Sequence, residues 1–425
     1  MPRVTKQTTT RTIIDVSDLI TWQGNLSGIQ RMVAEMAYRY EKTGALFCYY
    51  SEESRAFFPL DSFTGLMNKR ERVVEPTTQR NSTTKSSSPA NIRSIVHQLT
   101  PPILIRALKK SKHILVGNKP PARVELTDIY FRFNKNDTLL IFGAHWDKPH
   151  YTEVLGTLKA EHSLRIGHTV YDLIPVVDRA HVAEVEHIRF PLYIEAISRI
   201  SDIIYVISES TKKDYIHFLK TNNIASPKIK VLILGEDFTS TQASKPAVSA
   251  LDSPYLLMVG TVEVRKNHAL LYGTYKRAYE QGIELPSLII AGRQGWLSGD
   301  IYFQMTHDSQ VRDKFIFIHD ANDQQLAWLY EHCLFTVFSS YYEGWGLPVA
   351  EAAYYGKTCA ASNTSSIPEV AGNGAVYYSP YSTDECLVAI RTLLNNKDRA
   401  GYEKIIKNRH PATWDATFIQ SKDIL

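Results

Sequence analysis

The sequence predicts a mixed α/β protein with two domains, each built on a parallel sheet covered by helices. The chain has 425 residues, which is too long for one hydrophobic core and suits two domains of ordinary size. Short, β-branched apolar runs alternate with segments of helical spacing, the pattern of a parallel sheet with crossover helices. This alternation stops at a small, polar, proline-containing stretch, residues 241–254, and then starts again.

The first domain is predicted over residues 1–240. Its strands are expected at six apolar runs: Thr12–Val16, Ala45–Tyr50, Leu139–Phe142, Ile166–Tyr171, Ile203–Ile207 and Val231–Leu234. Helical spacing recurs at Ile29–Tyr40 and Tyr193–Arg199. Residues 51 to about 125 follow neither pattern, so we expect an insertion there.

The second domain is predicted over residues 255–405. Its expected strands are Tyr255–Val259, Ser287–Ala291, Phe315–Ile318 and Phe335–Phe338. Its expected helices are His268–Glu280, Asp323–Glu331 and Pro348–Tyr355. Each strand is short and apolar, which is typical of a sheet buried on both faces.

Composition excludes several classes of protein. Hydrophobic residues make up 44% and charged residues 22% of the chain, as in soluble globular proteins. The four cysteines are widely separated without a Cys-x-x-Cys pair, which argues against a zinc site or a disulfide framework and favours a reducing compartment. The polar N-terminus lacks a signal peptide's apolar region, and no run approaches the roughly 18 apolar residues of a membrane span. We therefore expect a cytoplasmic protein.

The positive charge is concentrated in residues 76–124. This segment contains nine Lys or Arg residues and no acidic residue, whereas acidic residues outnumber basic ones in the rest of the chain. Apolar residues alternate with these charges, so the segment could rest on anionic lipid at the inner face of the plasma membrane. A packed helical insertion with a solvated basic face is the alternative. Nucleic acid is not an expected partner, because no recognised binding motif accompanies the charge.

The stretch Glu343-Gly344-Trp345-Gly346-Leu347-Pro348-Val349-Ala350-Glu351 follows a predicted strand directly. Glycines followed by proline predict a strand-to-helix turn whose free backbone N–H groups can hold oxygen atoms or negative charge. Its two carboxylates can accept hydrogen bonds from different hydroxyls of one ligand. The alternative for Glu351 is a simpler role at the positive end of the helix.

Arg265 and Lys266 lie in a second turn, after the predicted strand Tyr255–Val259 and the residues Gly260 and Thr261. Adjacent cations at a strand end beside the interdomain crevice could neutralise a diphosphate. A solvated surface pair is the alternative.

Three further clusters lie near the ends of N-terminal strands. Gly24 and Gly28 precede the helix at Ile29, where the backbone can approach a phosphate, although a plain connecting loop fits equally well. The other two clusters are Gly143–Asp147 and His168–Pro175, which follow or end predicted strands at the edge where open α/β sheets bind ligands.

The Glu343 to Glu351 stretch resembles the Glu-x7-Glu signature of glycosyltransferase family 4, whose members are retaining enzymes with the GT-B fold. The resemblance implies two Rossmann-like domains facing a central cleft. It also implies a C-terminal segment, here residues 406–425, whose helix crosses back to the first domain. In such enzymes the residue matching Glu343 contacts the donor sugar, and the residue matching Glu351 holds the ribose hydroxyls.

Other segments are similar to the same family. Arg265, Lys266 and Asn267 match its diphosphate-binding segment, but Thr261 stands where many relatives have arginine, so binding would rest more heavily on Arg265 and Lys266. Gly24 and Gly28 look like the family's N-terminal glycine loop. Glu369 lies in a turn that resembles the family's Pro-Glu turn near the donor, although the helix dipole alone also explains an acid there.

The acceptor side departs from the family pattern. Tyr171 and Asp172 lie in a segment that resembles the family's His-Asp-x-x-Pro segment, with Tyr171 in place of the histidine. His168 cannot replace it, because three residues along a strand reverse the side-chain direction. His145 is the candidate substitute, and a histidine held only by packing is the alternative.

The resemblance implies a retaining hexosyltransferase that uses a nucleotide sugar and no cofactor. Because the sequence has no Asp-x-Asp triplet to hold a divalent ion, the enzyme is also expected to be metal-independent. The predicted catalytic residues are Glu343, Lys266, Arg265 and His145. The predicted donor-binding residues are Gly24, Gly28, Gly260, Thr261, Arg265, Lys266, Glu343, Gly344, Trp345, Gly346, Leu347, Glu351 and Glu369. Tyr171 and Asp172 are predicted to face the acceptor.

Segments 28–31 and 172–175 are similar to those of bacterial mannosyl- and rhamnosyltransferases of surface polysaccharide synthesis. This favours GDP-mannose as donor and a glycan or lipid-linked glycan as acceptor. The alternatives are a non-catalytic sugar-nucleotide-binding protein, and an enzyme that uses a UDP- or dTDP-sugar with a different acceptor. A dehydrogenase is not indicated, because no Gly-x-Gly-x-x-Gly follows a strand.

Overall fold

The computed structural model describes residues 10–22, 26, 28–74, 129–236 and 242–424. Within these ranges the chain forms two sheets, each covered by helices on both faces. The predicted α/β class is confirmed.

The N-terminal sheet has the strand order β3-β2-β1-β4-β5-β6-β7. Its strands are β1 (Thr12–Asp15), β2 (Leu46–Ser51), β3 (Ala56–Leu60), β4 (Thr138–Ile141), β5 (Arg165–Val170), β6 (Ile203–Val206) and β7 (Lys228–Val231). All neighbours are parallel except β2 and β3, which form an antiparallel edge.

The C-terminal sheet is parallel throughout, with the order β10-β9-β8-β11-β12-β13. Its strands are β8 (Tyr255–Val259), β9 (Ser287–Ala291), β10 (Phe315–Ile318), β11 (Thr336–Phe338), β12 (Cys359–Ser362) and β13 (Ala375–Tyr378). The direction in which successive strands are added to the sheet reverses between β8 and β11. In the N-terminal sheet it reverses between β1 and β4. Such reversal points open a crevice at the carboxyl ends of the strands, where open α/β sheets bind ligands.

Helices connect these strands and cover both faces of each sheet. In the N-terminal domain they are α1 (Ser17–Thr21), α2 (Ile29–Glu41), α3 (Phe63–Val74), α4 (Tyr151–His162), α5 (Ile174–Val177), α6 (Glu184–Ile200) and α7 (Glu209–Thr221). The remainder are α8 (His268–Glu280), α9 (Gly299–His307), α10 (Asp323–His332), α11 (Leu347–Tyr354), α12 (Ile367–Ala371), α13 (Thr383–Leu394), α14 (Asn396–Lys407) and α15 (Trp414–Ser421). Across the described ranges, none combines the length and the apolarity needed to cross a bilayer.

Two sequence predictions for the N-terminal domain differ from the structure. The last strand is Lys228–Val231 rather than Val231–Leu234, because residues beyond Val231 turn away to pack against α15; Thr417 Oγ1 donates to the carbonyl of Ile233 at 2.6 Å. The predicted insertion also starts too early. Ala56–Leu60 pairs with β2 as a sheet edge, and its alternation was masked by Pro59.

The C-terminal helix crosses back to the N-terminal domain, as predicted. Trp414 is buried to 2% exposure and lies so close to Gly235 that a Cβ there would come within 2.4 Å of the indole. Tyr40 and Ser421 are hydrogen-bonded through their hydroxyls at 2.8 Å. These contacts fix the end of the chain to the first sheet.

Candidate functional site

Three charged side chains meet at the reversal point of the C-terminal sheet. Arg265 and Lys266 follow β8, and Glu343 follows β11. Lys266 Nζ lies 2.6 Å and Arg265 Nη1 lies 2.9 Å from Glu343 Oε1. The side chains of Arg265, Lys266 and Glu343 are only 17%, 11% and 10% exposed, respectively. The two cations therefore share one carboxylate in a largely buried cluster.

Burial and charge act against each other in this cluster. Burial alone would raise the pKa of Glu343, but Arg265 and Lys266 outweigh it and lower that pKa to about 2. Burial lowers the pKa of Lys266, and the attraction of Glu343 partly offsets the effect. For Arg265, the neighbouring carboxylates of Glu343 and Glu263 exceed the effect of burial, so its pKa is raised. Glu343 is thus ionised near neutral pH.

Asn267 explains why the two cations are held in place. It adopts a left-handed conformation (φ 56°), which asparagine tolerates better than most residues, and its side chain caps α8 by accepting from the N–H of Leu270. Its amide donates to the carbonyl of Pro380 at 2.8 Å. Ser339 Oγ donates to the carbonyl of Lys266 at 2.8 Å. Sequence reasoning did not assign Asn267 a role of its own, although an asparagine directly before a helix is the signal of a cap.

The loop from Gly344 to Gly346 is pressed against the N-terminal domain. A Cβ on Gly344 would come within 2.2 Å of the carbonyl oxygen of Tyr171, so only glycine fits. Gly346 has φ 109° and directly precedes α11, in a conformation that would strain a residue with a side chain. Trp345 is buried between them, and Leu347 is the partly buried first residue of the helix.

Two serines hold the backbone of this loop from behind. Ser366 Oγ donates to the carbonyl oxygens of Glu343 and Trp345 at 2.9 and 2.8 Å. Ser365 Oγ accepts from the N–H of Glu343 at 2.9 Å. Sequence reasoning gave these serines no function, because the contacts span more than 20 residues of chain.

Glu351 lies on α11, where both of its carboxylate oxygens have neighbours. Tyr330 donates its hydroxyl to Oε2 at 2.6 Å, and Arg31 Nη1 of the N-terminal domain lies 3.5 Å from Oε1. Burial raises the pKa of Glu351, with Arg31 and Tyr330 opposing the effect. Its contact with a ribose stays a prediction.

Glu369 joins the two domains. Its carboxylate accepts from the backbone N–H groups of Glu209 and Ser210 at 2.8 and 2.7 Å, at the start of the 13-residue helix α7. A carboxylate at this end of a helix accepts hydrogen bonds from the free N–H groups and interacts favourably with the helix dipole. A donor contact from Glu369 would therefore require this bridge to open.

The remaining predicted donor-binding residues lie around the same edge. Gly260 (φ 140°) lies beside the Lys266 side chain, and Thr261 is exposed. Gly28 is exposed and adopts a positive φ of 54° at the start of α2, a conformation that favours glycine. Gly24 and the basic segment 76–124 lie outside the described residues.

On the acceptor side, Tyr171 and Asp172 follow β5 into the cleft. The Tyr171 hydroxyl donates to the carbonyl of Phe142, so it is held within its own domain. Asp172 Oδ1 accepts from the N–H of Ile174 at 3.0 Å. Burial raises the pKa of Asp172, and Arg265 across the cleft opposes the rise.

His145 does not lie where the catalytic prediction requires. It is completely buried, stacked on the ring of Tyr151 at 4.1 Å, with neither ring nitrogen hydrogen-bonded among the described residues. Burial lowers its pKa well below the ordinary value, so the ring is neutral. Its neighbours Ala144 and Trp146 reach the cleft instead. The structure thus favours the alternative that this histidine is held by packing.

A cavity of about 380 Å³ lies between the domains beside the charged cluster. The N-terminal domain contributes mostly apolar residues to it, together with Tyr171 and Asp172, whereas the C-terminal domain contributes Glu263, Arg265 and Trp296. Arg265 therefore belongs both to the cluster with Glu343 and to the cavity wall. The arrangement can hold an anionic group at the cluster and a second molecule beside it.

Comparison with known proteins agrees with this arrangement. The model of the family described as glycosyl transferases group 1 matches residues 239–410. The serotype-specific mannosyltransferase WbdA of Escherichia coli is 26% identical over 272 residues, 60% of this chain and 32% of that protein. The O-antigen chain mannosyltransferase B of Escherichia coli is 33% identical over 131 residues, 31% of this chain and 34% of that protein. This chain thus spans about a third of the length of these relatives.

A solved structure shows the same fold across nearly the whole chain. The Anabaena protein HepE, crystallised in complex with UDP-glucose, superimposes with a TM-score of 0.59 at 13% identity, over 97% of this chain and 98% of that one. The predicted GT-B architecture is confirmed. The two sheets with facing reversal points and the solved structure show that the chain has the GT-B fold, and residues 239–410 match the model of the glycosyl transferases group 1 family.

Proposed function

We propose that this protein is a retaining hexosyltransferase that moves mannose from GDP-mannose to a glycan or lipid-linked glycan of a bacterial surface polysaccharide. The observation that carries the proposal is the buried cluster of Arg265, Lys266 and Glu343 at the reversal point of the C-terminal sheet. The names of the two relatives favour mannose and an O-antigen acceptor.

The chemistry of the cluster suits departure of a nucleoside diphosphate. Cleavage of the anomeric bond places negative charge on the leaving diphosphate, and fixed positive groups in a dry site lower that barrier. Arg265 and Lys266 provide those groups. Both are positioned by their backbones before any ligand arrives, through the cap at Asn267 and the Ser339 hydrogen bond.

Both cations have carboxylate partners within the protein. Glu343 pairs with both, and Glu263 accepts from Arg265 Nη2 at 2.7 Å. A diphosphate can pair with Arg265 and Lys266 only if it competes with Glu343, which frees that carboxylate to accept from sugar hydroxyls. On this account Glu343 changes partners as donor binds.

Retention follows from the family resemblance and requires no covalent intermediate on the protein. The acceptor hydroxyl attacks from the face that the diphosphate leaves, and an oxygen of the leaving phosphate takes the hydroxyl proton. Closure of the domains around both substrates excludes water that would hydrolyse the donor.

The direct test is transfer by purified variants. Lys266→Ala and Glu343→Ala should each lose transfer activity by at least a hundredfold while retaining the fold, because each removes a charge from the reacting centre. Arg293→Ala is the matched control, since Arg293 follows β9 at the same sheet edge but its side chain is 73% exposed. Wild-type rates in both cluster variants would refute the assignment of this site.

The donor is identified by thermal shift with GDP-, UDP-, dTDP- and ADP-sugars. A ligand at a hundred times its dissociation constant adds about 2.7 kcal/mol to the free energy of unfolding. We expect the largest shift with GDP-mannose. Hydrolysis of the bound donor without acceptor distinguishes an enzyme from a protein that only binds the nucleotide sugar.

We also propose that transfer needs no divalent metal ion. The sequence has no Asp-x-Asp triplet to hold an ion between carboxylates and phosphates, and the two cluster cations supply positive charge. Transfer should continue at the same rate in excess EDTA. Loss of activity in EDTA that returns with magnesium or manganese would contradict this part of the proposal.

We also propose that residues 76–124 attach the protein peripherally to the inner face of the plasma membrane. Nine basic residues without an acid would attract anionic lipid in a salt-dependent manner. Co-sedimentation with anionic liposomes, compared with neutral liposomes, tests it. No binding to anionic liposomes at low salt would remove the membrane from the account.

A further inference from the structure

Two consecutive tyrosines, Tyr341 and Tyr342, lie between β11 and Glu343 and hold Arg265 through their backbones. The N–H of Tyr341 donates to the carbonyl oxygen of Arg265 at 3.0 Å. Arg265 Nη1 in turn donates to the carbonyl oxygen of Tyr342 at 2.8 Å. The backbone and the guanidinium of Arg265 are therefore both fixed to the same dipeptide.

The side chains of both tyrosines contact the N-terminal domain. The Tyr342 hydroxyl donates to Oδ2 of Asp214 on α7, and the Tyr341 ring stacks on His181, between α5 and α6, with centroids 4.1 Å apart. Asp214 is partly buried; burial raises its pKa, and the hydrogen bond from Tyr342 opposes the rise. Burial also raises the pKa of Tyr342, so its hydroxyl keeps its proton near neutral pH and can donate to a carboxylate.

The Tyr342 carbonyl and the Glu343 carboxylate share one nitrogen of Arg265. Nη1 lies 2.8 Å from the carbonyl oxygen and 2.9 Å from Glu343 Oε1. When a diphosphate takes the place of the carboxylate, the carbonyl remains as an acceptor that orients the planar guanidinium. Because paired hydrogen bonds to phosphate depend on that orientation, the position of the Tyr342 backbone sets how Arg265 meets a diphosphate.

We infer that Tyr342 is a positioning residue, which transmits its contact with Asp214 to Arg265 and so makes diphosphate binding depend on the N-terminal domain. The inference rests on the proposed function for the assignment of a diphosphate to Arg265. Linkage between two contacts is reciprocal, so the Asp214 contact strengthens diphosphate binding by the same factor by which diphosphate strengthens that contact. A tyrosine that only tied the domains together would act independently of Arg265.

Two substitutions break the contact from opposite sides. Tyr342→Phe removes the hydroxyl and keeps the ring and the backbone carbonyl, and Asp214→Ala removes the acceptor in the other domain. We expect each variant to bind GDP about fivefold to twentyfold more weakly than the wild type, and the double variant to bind no more weakly than either, because both changes break one contact. Tyr272→Phe is the matched control with unchanged affinity, since the Tyr272 hydroxyl donates to Asp308 at 2.7 Å within the C-terminal domain.

The measurement is titration calorimetry of the full chain with GDP, or with UDP if only UDP binds the wild type. Tyr342→Phe is measured both alone and combined with Arg265→Ala. A residue that acts through Arg265 has no further effect once Arg265 is removed, so the combined variant should bind the nucleotide within about twofold of Arg265→Ala. A merely structural effect would lower the affinity by the same factor in both backgrounds, and that result would overturn the inference.

The outcomes separate this inference from the proposed function. If nucleotide binding depends on Tyr342 through Arg265 but no nucleotide sugar supports transfer, the proposed function fails and the inference stands. If the wild type transfers mannose while Tyr342→Phe and Tyr272→Phe bind the nucleotide equally well, the inference fails and the function stands. If the wild type binds neither GDP nor UDP, both fail.

Discussion

At the scale of single residues, the cluster consists of two cations paired with one carboxylate. Glu343 satisfies Arg265 and Lys266 at 2.9 and 2.6 Å, and its pKa of about 2 keeps it ionised. Without this carboxylate the two neighbouring cations would repel each other. The residue that contacts the donor sugar in the proposal thus also neutralises charge within the cluster.

A second carboxyl group, at the reversal point of the N-terminal sheet, has a raised rather than a lowered pKa. Asp18 is largely buried and accepts from the N–H of Ala144 at 2.8 Å. Burial raises its pKa from the ordinary 3.8 to about 6. The folded state therefore binds the proton more tightly than the unfolded state, and stability falls as pH rises from about 4 to about 6.

We predict that Asp18→Asn stabilises the protein at pH 7.5 by roughly 1–3 kcal/mol, because the ionised carboxyl no longer has to be buried. The amide oxygen can still accept from Ala144. Urea unfolding at pH 7.5 and pH 4.5 measures the effect, and the gain should be smaller at the lower pH. Asp147→Asn, at an exposed neighbour, is the control. A loss of stability in Asp18→Asn at pH 7.5 would contradict the account.

The sequence identified Arg265, Lys266 and Glu343 because each directly follows a strand that its apolar pattern reveals. It could not show that Ser366 holds the Glu343 backbone or that Glu369 faces another domain, since both contacts join residues distant in the chain. His145 was chosen for its chemistry and its place at a strand end, but the fold turns it inward onto Tyr151. Side-chain direction at a strand end is decided by the loop, which residue type does not reveal.

At the scale of elements, the turn from Phe338 to α11 has to fit against the backbone of Tyr171 in the other domain. Glycine at position 344 leaves room for the Tyr171 carbonyl, which would lie 2.2 Å from a Cβ. The sequence predicted a turn here whose free N–H groups can hold a ligand. The structure adds that a glycine of this turn lets the other domain approach.

We predict that Gly344→Ala lowers kcat/KM for transfer by at least tenfold, because the added methyl forces the domains apart at the reacting centre. Steady-state kinetics measures it, with circular dichroism to verify folding. Gly401→Ala is the control, since a Cβ there meets no atom within 4 Å and lies within the helix α14. Equal kinetics for the two variants would show that the close approach has no functional effect.

Most strands were predictable because parallel strands buried on both faces appear as continuous apolar runs. β8, β9 and β10 occupy the predicted residues. The errors fall at sheet edges: β7 at Lys228–Val231 is only partly buried, and the apolar residues after it belong to a contact with α15. A short edge strand gives only a weak apolar pattern. The apolar residues next to it can belong instead to a contact with a helix that is distant in the sequence.

At the scale of the whole molecule, polar bridges join the two domains beside a buried apolar cluster that includes residues of both. The carboxylate of Glu369 caps α7, Tyr342 donates its hydroxyl to Asp214, and His181 stacks on Tyr341 at 4.1 Å. Polar contacts between domains can be exchanged for contacts with a ligand more readily than apolar packing can.

We predict that Glu369→Ala increases the population of an open arrangement, because the α7 N–H groups lose two charge-assisted hydrogen bonds worth roughly 2 kcal/mol together. Small-angle X-ray scattering should show a larger radius of gyration, and donor should partly restore the compact form. Glu331→Ala, at an exposed acid of the same domain, is the control. Scattering identical to the wild type would mean that this bridge does not hold the domains.

The number of domains was predictable from the restart of the apolar pattern, and their mutual arrangement was not. The bridges join residues more than a hundred positions apart, and no local pattern encodes such pairs. For the same reason the cavity with Trp296 on one side and Trp146 on the other was invisible in the sequence.

The most direct test of the account is the affinity for GDP-mannose by titration calorimetry, with Lys266→Met compared with Arg293→Met. Methionine keeps most of the lysine volume and removes its charge from the centre of the cluster. The account predicts that GDP-mannose binds Lys266→Met at least tenfold more weakly than wild type, because a charge-assisted contact contributes about 1.5–3 kcal/mol, while Arg293→Met is unchanged. Equal affinity in wild type and Lys266→Met would contradict the donor site proposed here.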